Sequence, residues 1–220
     1  MVASVASFNP AAPHSGQSRM FDGRLRAIID PPLDAAGRAL ARRGFCADHV
    51  TLAGLALGLG CALAVYLRHD VAALLLLAAS RLFDGLDGAI ARATKPSDRG
   101  GFLDIACDFL FYGAVPLAFA LRDPTVNALP AAALLFAFYV NGASFLAFAV
   151  MAAKRGLETT QSGVKSLYFT AGLAEGAETI ACFAAMMLWP GWFPVLALAF
   201  AALTLMTALS RAILAWTTFR

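Results

Sequence analysis

Apolar residues in this chain fall into six long runs, each close to the length of a membrane-crossing helix and each bounded by short polar stretches. The runs cover Val50 to Leu67, Val71 to Arg92, Leu103 to Leu121, Leu129 to Ala153, Leu167 to Leu188 and Pro194 to Trp216. Before them, from Phe21 to Phe45, apolar and basic residues alternate: Arg24, Arg26, Arg38, Arg42 and Arg43 stand among Leu25, Ile28, Ile29, Leu33 and Leu40. That pattern predicts an amphipathic helix, either lying in the membrane interface or packed on the protein, with a break at Pro31-Pro32. The first nineteen residues are small, polar and proline-containing, without the basic start and apolar core of a secretory signal. The expected organisation is therefore a disordered segment over 1–19, an amphipathic juxtamembrane helix over 20–46 and a six-helix transmembrane catalytic domain over 47–220. The fold class is all-α, a polytopic membrane protein.

Composition agrees with that reading: 60% of the residues are hydrophobic and the mean hydropathy is +0.71, above the level of soluble domains. The net charge of +3 says little; its placement says more. Fourteen of the seventeen Lys and Arg residues fall on one side of the predicted spans, and only Arg68 and Arg122 fall on the other. By the positive-inside rule both termini are cytoplasmic. Arg81 belongs to neither side, being inside the second span. Cys46, Cys61, Cys107 and Cys182 show no paired spacing, which argues for apolar thiols rather than a disulfide framework or a zinc site. Gly54 and Gly58, four apart in the first span, predict close helix packing.

Against this apolar background, Asp84, Asp87, Asp104, Asp108, Glu175 and Glu178 all fall in or at the ends of spans. Each ionised group near mid-membrane costs roughly 2.5–3.5 kcal/mol on insertion scales, so such a set marks a functional, polar cavity. Asp84, Asp87, Gly88, Ala91 and Arg92 share one helix face; so do Gly100, Asp104 and Asp108. A short loop with Pro96 joins the two helices, so an antiparallel pair brings the four aspartates together at the cytoplasmic ends. Four adjacent carboxylates repel one another, and a divalent cation relieves that repulsion. All-oxygen ligation favours Mg²⁺ or Mn²⁺, and two such ions suit phosphoryl displacement. Gly85, Gly88, Ala91, Gly100 and Gly101 leave room for a nucleotide against the backbone.

These residues form the pattern D-x2-D-G-x2-A-R, a loop, then G-x3-D-x3-D, with every position present and a loop of seven residues. In this the chain resembles the CDP-alcohol phosphotransferase family, whose layout of six spans behind an amphipathic helix it also shares. The resemblance implies transfer of the phosphoalcohol part of a CDP-alcohol, usually CDP-diacylglycerol, to a small alcohol with release of CMP. It implies a homodimer in the lipid membrane and no nucleic-acid partner. By matching position, Asp84, Asp87 and Asp104 would bind a first metal and Asp84, Asp104 and Asp108 a second, with Asp108 also the general base. Gly88, Ala91, Arg92 and Gly100 would line the donor site, with Ser97 as a donor ligand. Asp48 and Thr51 match the family's Pro-Asn-x-x-Thr segment, with Asp48 in place of the amide; His49 is expected to face solvent.

The acceptor side is open. Glu175 and Glu178 would bind polyol hydroxyls or an amino alcohol, or instead tie spans together through Arg81 or Arg211. Lys154, Arg155, Lys165 and Arg211 are candidates for an acceptor phosphate, against plain positive-inside bias for the loop residues. Glycerol 3-phosphate, inositol phosphate, serine and choline all fit. A cation- or proton-coupled transporter would also carry intramembrane carboxylates, but the later half has no second copy of the aspartate pattern. A catalytically silent binding subunit is disfavoured by the intact aspartate set.

Overall fold

The computed structural model describes residues 22–156 and 176–219. Seven α-helices make up these residues: α1 (Asp22–Arg42), α2 (Ala47–Tyr66), α3 (Asp70–Ala93), α4 (Asp98–Arg122), α5 (Pro124–Lys154), α6 (Gly176–Leu188) and α7 (Phe193–Thr218). A 3-10 turn over Pro190–Trp192 leads into α7. The described residues contain no strand, and the protein is all-α as the apolar runs predict.

Four helices are long and apolar enough to cross a membrane: α2, α4, α5, and α7 with its leading turn. α3 has the length, at 24 residues, but Arg81, Asp84, Asp87 and Arg92 dilute its apolar face. α6 is described over 13 residues, because the first part of the predicted fifth span lies outside the described residues. So do residues 1–19, Lys165 and Glu175. Leu110, Leu117, Leu129, Phe136, Leu209 and Trp216 are among many large apolar side chains that point outward. In water such a surface would be a liability; in a bilayer it is the contact with lipid.

The predicted break at Pro31-Pro32 does not occur: α1 runs through both prolines. Two N–H groups are missing from its ladder, yet the turns beyond them are held by packing on α3. A Cβ built on Gly37 would stand 2.6 Å from the Ala89 Cβ and 2.7 Å from its carbonyl carbon. Leu33 lies against Gly85, and Arg92 Nη2 donates to Asp34 Oδ1 at 2.8 Å. Gly37→Val is expected to push α1 off α3, at about 1–3 kcal/mol and a fall of roughly 2–10 °C in Tm. Thermal scans in detergent, with the exposed Ala36→Val as control, test this; equal falls in both variants would show that the close approach does not matter.

α2, α3 and α4 pack into one group and α5 and α7 into another, with α4 against α5 and α6 against α3. Gly54 and Gly58 serve the close packing expected of them. Ser80 Oγ on α3 donates to the Gly54 carbonyl at 2.8 Å, and a Cβ on Gly58 would collide with the Phe111 ring at 2.7 Å. Between the groups lies a core of Phe111, Phe119, Phe183, Phe193, Leu134 and Met186. Phe119 stacks on Phe193 with ring centroids 4.3 Å apart. At the core end of the bundle remote from the α3–α4 loop, Arg122 forms a two-pronged pair with Asp70, and Arg68 Nη2 donates to the Arg122 carbonyl at 2.8 Å. The two cations that fell on the minority side thus clamp the start of α3 to the end of α4. All four cysteines are free thiols.

Candidate active site

α3 and α4 are joined by four residues, Thr94 to Ser97, so the last turns of one lie beside the first turns of the other. Ser97 fixes that junction. Its Oγ accepts from the Gly100 N–H at 3.0 Å, the arrangement of an N-cap. In this structure the residue expected to contact a donor is therefore the cap that starts α4.

From this junction one carboxylate oxygen each of Asp84, Asp104 and Asp108 comes within 4.8 Å of the others. Asp104 is exposed, while Asp84 and Asp108 are half-buried. The fourth aspartate, Asp87, is buried, at 6% exposure, and its Oδ2 has no hydrogen-bond partner among the described residues. Asp87 lines a small cavity with Asp84, Asp108, Thr51, Gly54, Leu55, Ser80, Arg81 and Cys107. A buried carboxylate oxygen without a donor is costly. Three further carboxylates nearby add repulsion. An oxygen-ligated divalent cation answers both, so the residues present fit Mg²⁺ or Mn²⁺.

Arg81 also belongs to this cluster, a placement that spacing alone does not predict. Arg81 Nη1 donates to Asp108 Oδ1 at 3.2 Å and lies 3.5 Å from Asp84 Oδ1. Its guanidinium carbon sits 4.5 Å from the centre of the Phe111 ring, and Nη2 donates to Ser80 Oγ at 3.2 Å. The available signal was its position three residues before Asp84 on the same helix face, as a cation in the middle of a span.

Thr51, expected to line the donor pocket, is buried at the cavity and donates its hydroxyl to the Ala47 carbonyl at 3.1 Å. Asp48 Oδ2 pairs with Arg99 Nη2 at 2.7 Å, and a Cβ on Gly100 would meet Asp48 Oδ1 at 3.5 Å. The start of α2 and the start of α4 thus face each other where the resemblance puts the donor. Gly88 keeps a face of α3 open: a Cβ there would stand 3.3 Å from Arg92 Nη1. Ala91 is half-buried beside them and His49 is exposed.

Two of the candidate acceptor cations have partners within the protein. Arg155 donates to the Thr218 and Phe219 carbonyls and lies over the Phe219 ring, closing the C-terminal end of α7 where carbonyls want a cation. Arg211 Nη1 reaches Asn141 Oδ1 at 2.8 Å and Ser144 Oγ at 2.9 Å on α5. Lys154 is exposed at the end of α5, and Glu178 is exposed at the start of α6.

Fold and site together define a helical membrane protein with a metal-competent aspartate cluster where two helices turn back on each other. Residues 45–218 match the model of the CDP-alcohol phosphatidyltransferase family. The chain is 44% identical over 192 residues to inner membrane protein YnjF of Escherichia coli K12, covering 87% of this chain and 93% of that one. It is 35% identical over 99 residues to the archaetidylinositol phosphate synthase of Pyrococcus horikoshii, covering 44% of this chain and 53% of that one. The fold is similar to that of the Mycobacterium tuberculosis phosphatidylinositol phosphate synthase. With CDP-DAG bound to that protein the TM-score is 0.66 at 23% identity, covering 84% of this chain and 94% of that one. With manganese and citrate the TM-score is 0.65 at 23% identity, covering 84% and 89%. The chain belongs to the CDP-alcohol phosphatidyltransferase family, membrane-embedded transferases of phospholipid synthesis.

Proposed function

We propose that this protein moves a phosphatidyl group from CDP-diacylglycerol to a small alcohol and releases CMP. The observation that carries this is the convergence of Asp84, Asp104 and Asp108 within 4.8 Å, beside the buried Oδ2 of Asp87, which has no hydrogen-bond partner among the described residues. Asp84, Asp87 and Asp104 hold one divalent ion, and Asp84, Asp104 and Asp108 a second. Bound there, Mg²⁺ or Mn²⁺ neutralises the diphosphate and the leaving CMP. Asp108 accepts the proton of the acceptor hydroxyl. That oxygen then bonds to the phosphorus carrying the diacylglycerol, and the bond from this phosphorus to the oxygen of CMP breaks.

Gly88, Ala91, Arg92, Ser97, Gly100, Asp48 and Thr51 line the donor side. For Arg92 this requires exchange of Asp34, and for Asp48 exchange of Arg99, for the nucleotide. Residues 47–220 form the catalytic unit and α1 lies along the membrane surface. The site faces the cytoplasm of a bacterial-type inner membrane, with both termini on that side, and the protein works as a homodimer. Two relatives are named as inositol phosphate lipid synthases, which favours a phosphorylated polyol as acceptor. Lys154, Arg155, Lys165, Arg211, Glu175 and Glu178 are the side chains to contact it.

Purified protein with CDP-diacylglycerol and Mn²⁺ or Mg²⁺ is expected to release CMP when given the right acceptor. The panel is inositol phosphate, glycerol 3-phosphate, serine and choline, with water as the blank. Metal-independent release, or no release with any acceptor, would overturn the reading.

A further inference from the structure

Arg81 holds a position that the metal assignment leaves unexplained. A single nitrogen, Nη1, stands between Oδ1 of Asp108 at 3.2 Å and Oδ1 of Asp84 at 3.5 Å. Asp84 belongs to α3 and Asp108 to α4, so this nitrogen is a cation shared by the two helices. A divalent ion ligated by Asp84 and Asp108 needs the same gap. Two positive charges cannot both occupy it without strong repulsion.

The rest of the side chain shows a group held in place yet not fully satisfied. Nη2 is hydrogen-bonded to Ser80 Oγ, itself fixed to the Gly54 carbonyl at 2.8 Å. The guanidinium lies over the Phe111 ring at 4.5 Å, a favourable contact. Nε, however, is buried and has no acceptor among the described residues. A buried charged donor left unpaired lowers the cost of moving the group elsewhere. Arginine has the reach for that, with its stem on apolar surface and only its head at the carboxylates.

We propose that Arg81 is a resident counterion of the site: without metal its guanidinium fills the gap between Asp84 and Asp108, and it weakens binding of the divalent ion that shares those carboxylates. This rests on the two-metal reading above. It gives the cluster a neutralising charge before any metal arrives, and it makes the two metal positions unequal. The position built on Asp87 takes the first ion, and the position that includes Asp108 fills only as Arg81 yields.

The test is Mn²⁺ binding to the purified full chain without substrate, read from the electron spin resonance of free Mn²⁺. Wild type should bind two ions with unequal affinity. Arg81→Met should bind the weaker ion about tenfold more tightly, and its metal-free form should melt lower than wild type. Arg81→Lys keeps a charge for folding but loses the second nitrogen anchored on Ser80. It should fall between the two, and it decides the matter if Arg81→Met does not fold. A weaker-site affinity in either folded variant equal to or below that of wild type overturns the role of Arg81 and leaves the metal reading standing. Absence of Mn²⁺ binding in all three proteins overturns both. A purely structural arginine would lower affinity when removed, so the direction of change separates the two roles.

Discussion

Asp108→Asn is expected to slow CMP release by about 10²–10⁴-fold at saturating substrates, with donor affinity changed by less than roughly threefold. The substitution is close to isosteric. Its carbonyl oxygen can still accept from Arg81 Nη1, which Asp108 Oδ1 does at 3.2 Å, so the α3–α4 contact survives. Asparagine cannot take a proton from an acceptor hydroxyl at neutral pH, and that is the step assigned to this residue. Asp108 sits on the same face of α4 as Asp104, one turn deeper, and is half-buried. Its side chain is 34% exposed, so an acceptor hydroxyl has room to approach it.

Two measurements make the result specific. Rates of CMP release give the chemical loss, and displacement of labelled CDP-diacylglycerol gives donor affinity. A large loss in both would mean that Asp108 mainly organises the donor through a metal. Near-normal turnover in Asp108→Asn would remove it as the base. Asp108→Glu retains a proton acceptor displaced by one methylene, so it should recover part of the rate if proton transfer is what asparagine lost.

How much of this was readable in the chain depends on the kind of information each feature needs. The four aspartates were legible because carboxylates in apolar runs are costly and their spacing assigns them to helix faces. That two such faces meet follows from a four-residue link between α3 and α4. Gly54 and Gly58 were legible for the same reason, although only the structure shows Ser80 and Phe111 filling the space they leave. Periodicity says which residues share a face and does not say what the face touches. Arg81 meets Asp108 across a separation of 27 residues, and no local pattern carries that pairing. Arg155 looked like a loop cation by charge asymmetry, yet it closes the end of α7, 63 residues away. α1 was misread at its prolines because local propensity argued for a break, while packing of Gly37 against Ala89 keeps the helix intact. Ser97 stood out by its position in a motif, and only the structure shows that its Oγ also accepts from the Gly100 N–H.

Chelation with EDTA is expected to reduce CMP release to below about 1% of the metal-loaded rate, because charge stabilisation by bound metal is worth several kcal/mol. Added Mn²⁺ or Mg²⁺ should restore it. Asp87 calls for the metal as much as the more exposed carboxylates do. An exposed aspartate such as Asp104 can be satisfied by water, whereas Asp87 is buried and its Oδ2 has no hydrogen-bond partner among the described residues. Arg81 reaches Asp84 and Asp108, and no such pairing with a cation is present at Asp87 among the described residues. Asp87 is thus the carboxylate whose ionised form most needs a metal. Metal binding should accordingly raise the Tm of wild type, since a ligand that binds only the folded state stabilises it by mass action. In Asp87→Asn the neutral amide removes both the buried charge and the ligand. Its metal-free Tm should match or exceed that of metal-free wild type, its metal-induced rise should shrink, and its activity should fall about 100-fold or more. Full activity of wild type in EDTA would sink the metal assignment. A metal-induced rise in Tm that is the same in Asp87→Asn as in wild type would move the ion away from Asp87 and onto Asp84, Asp104 and Asp108 alone.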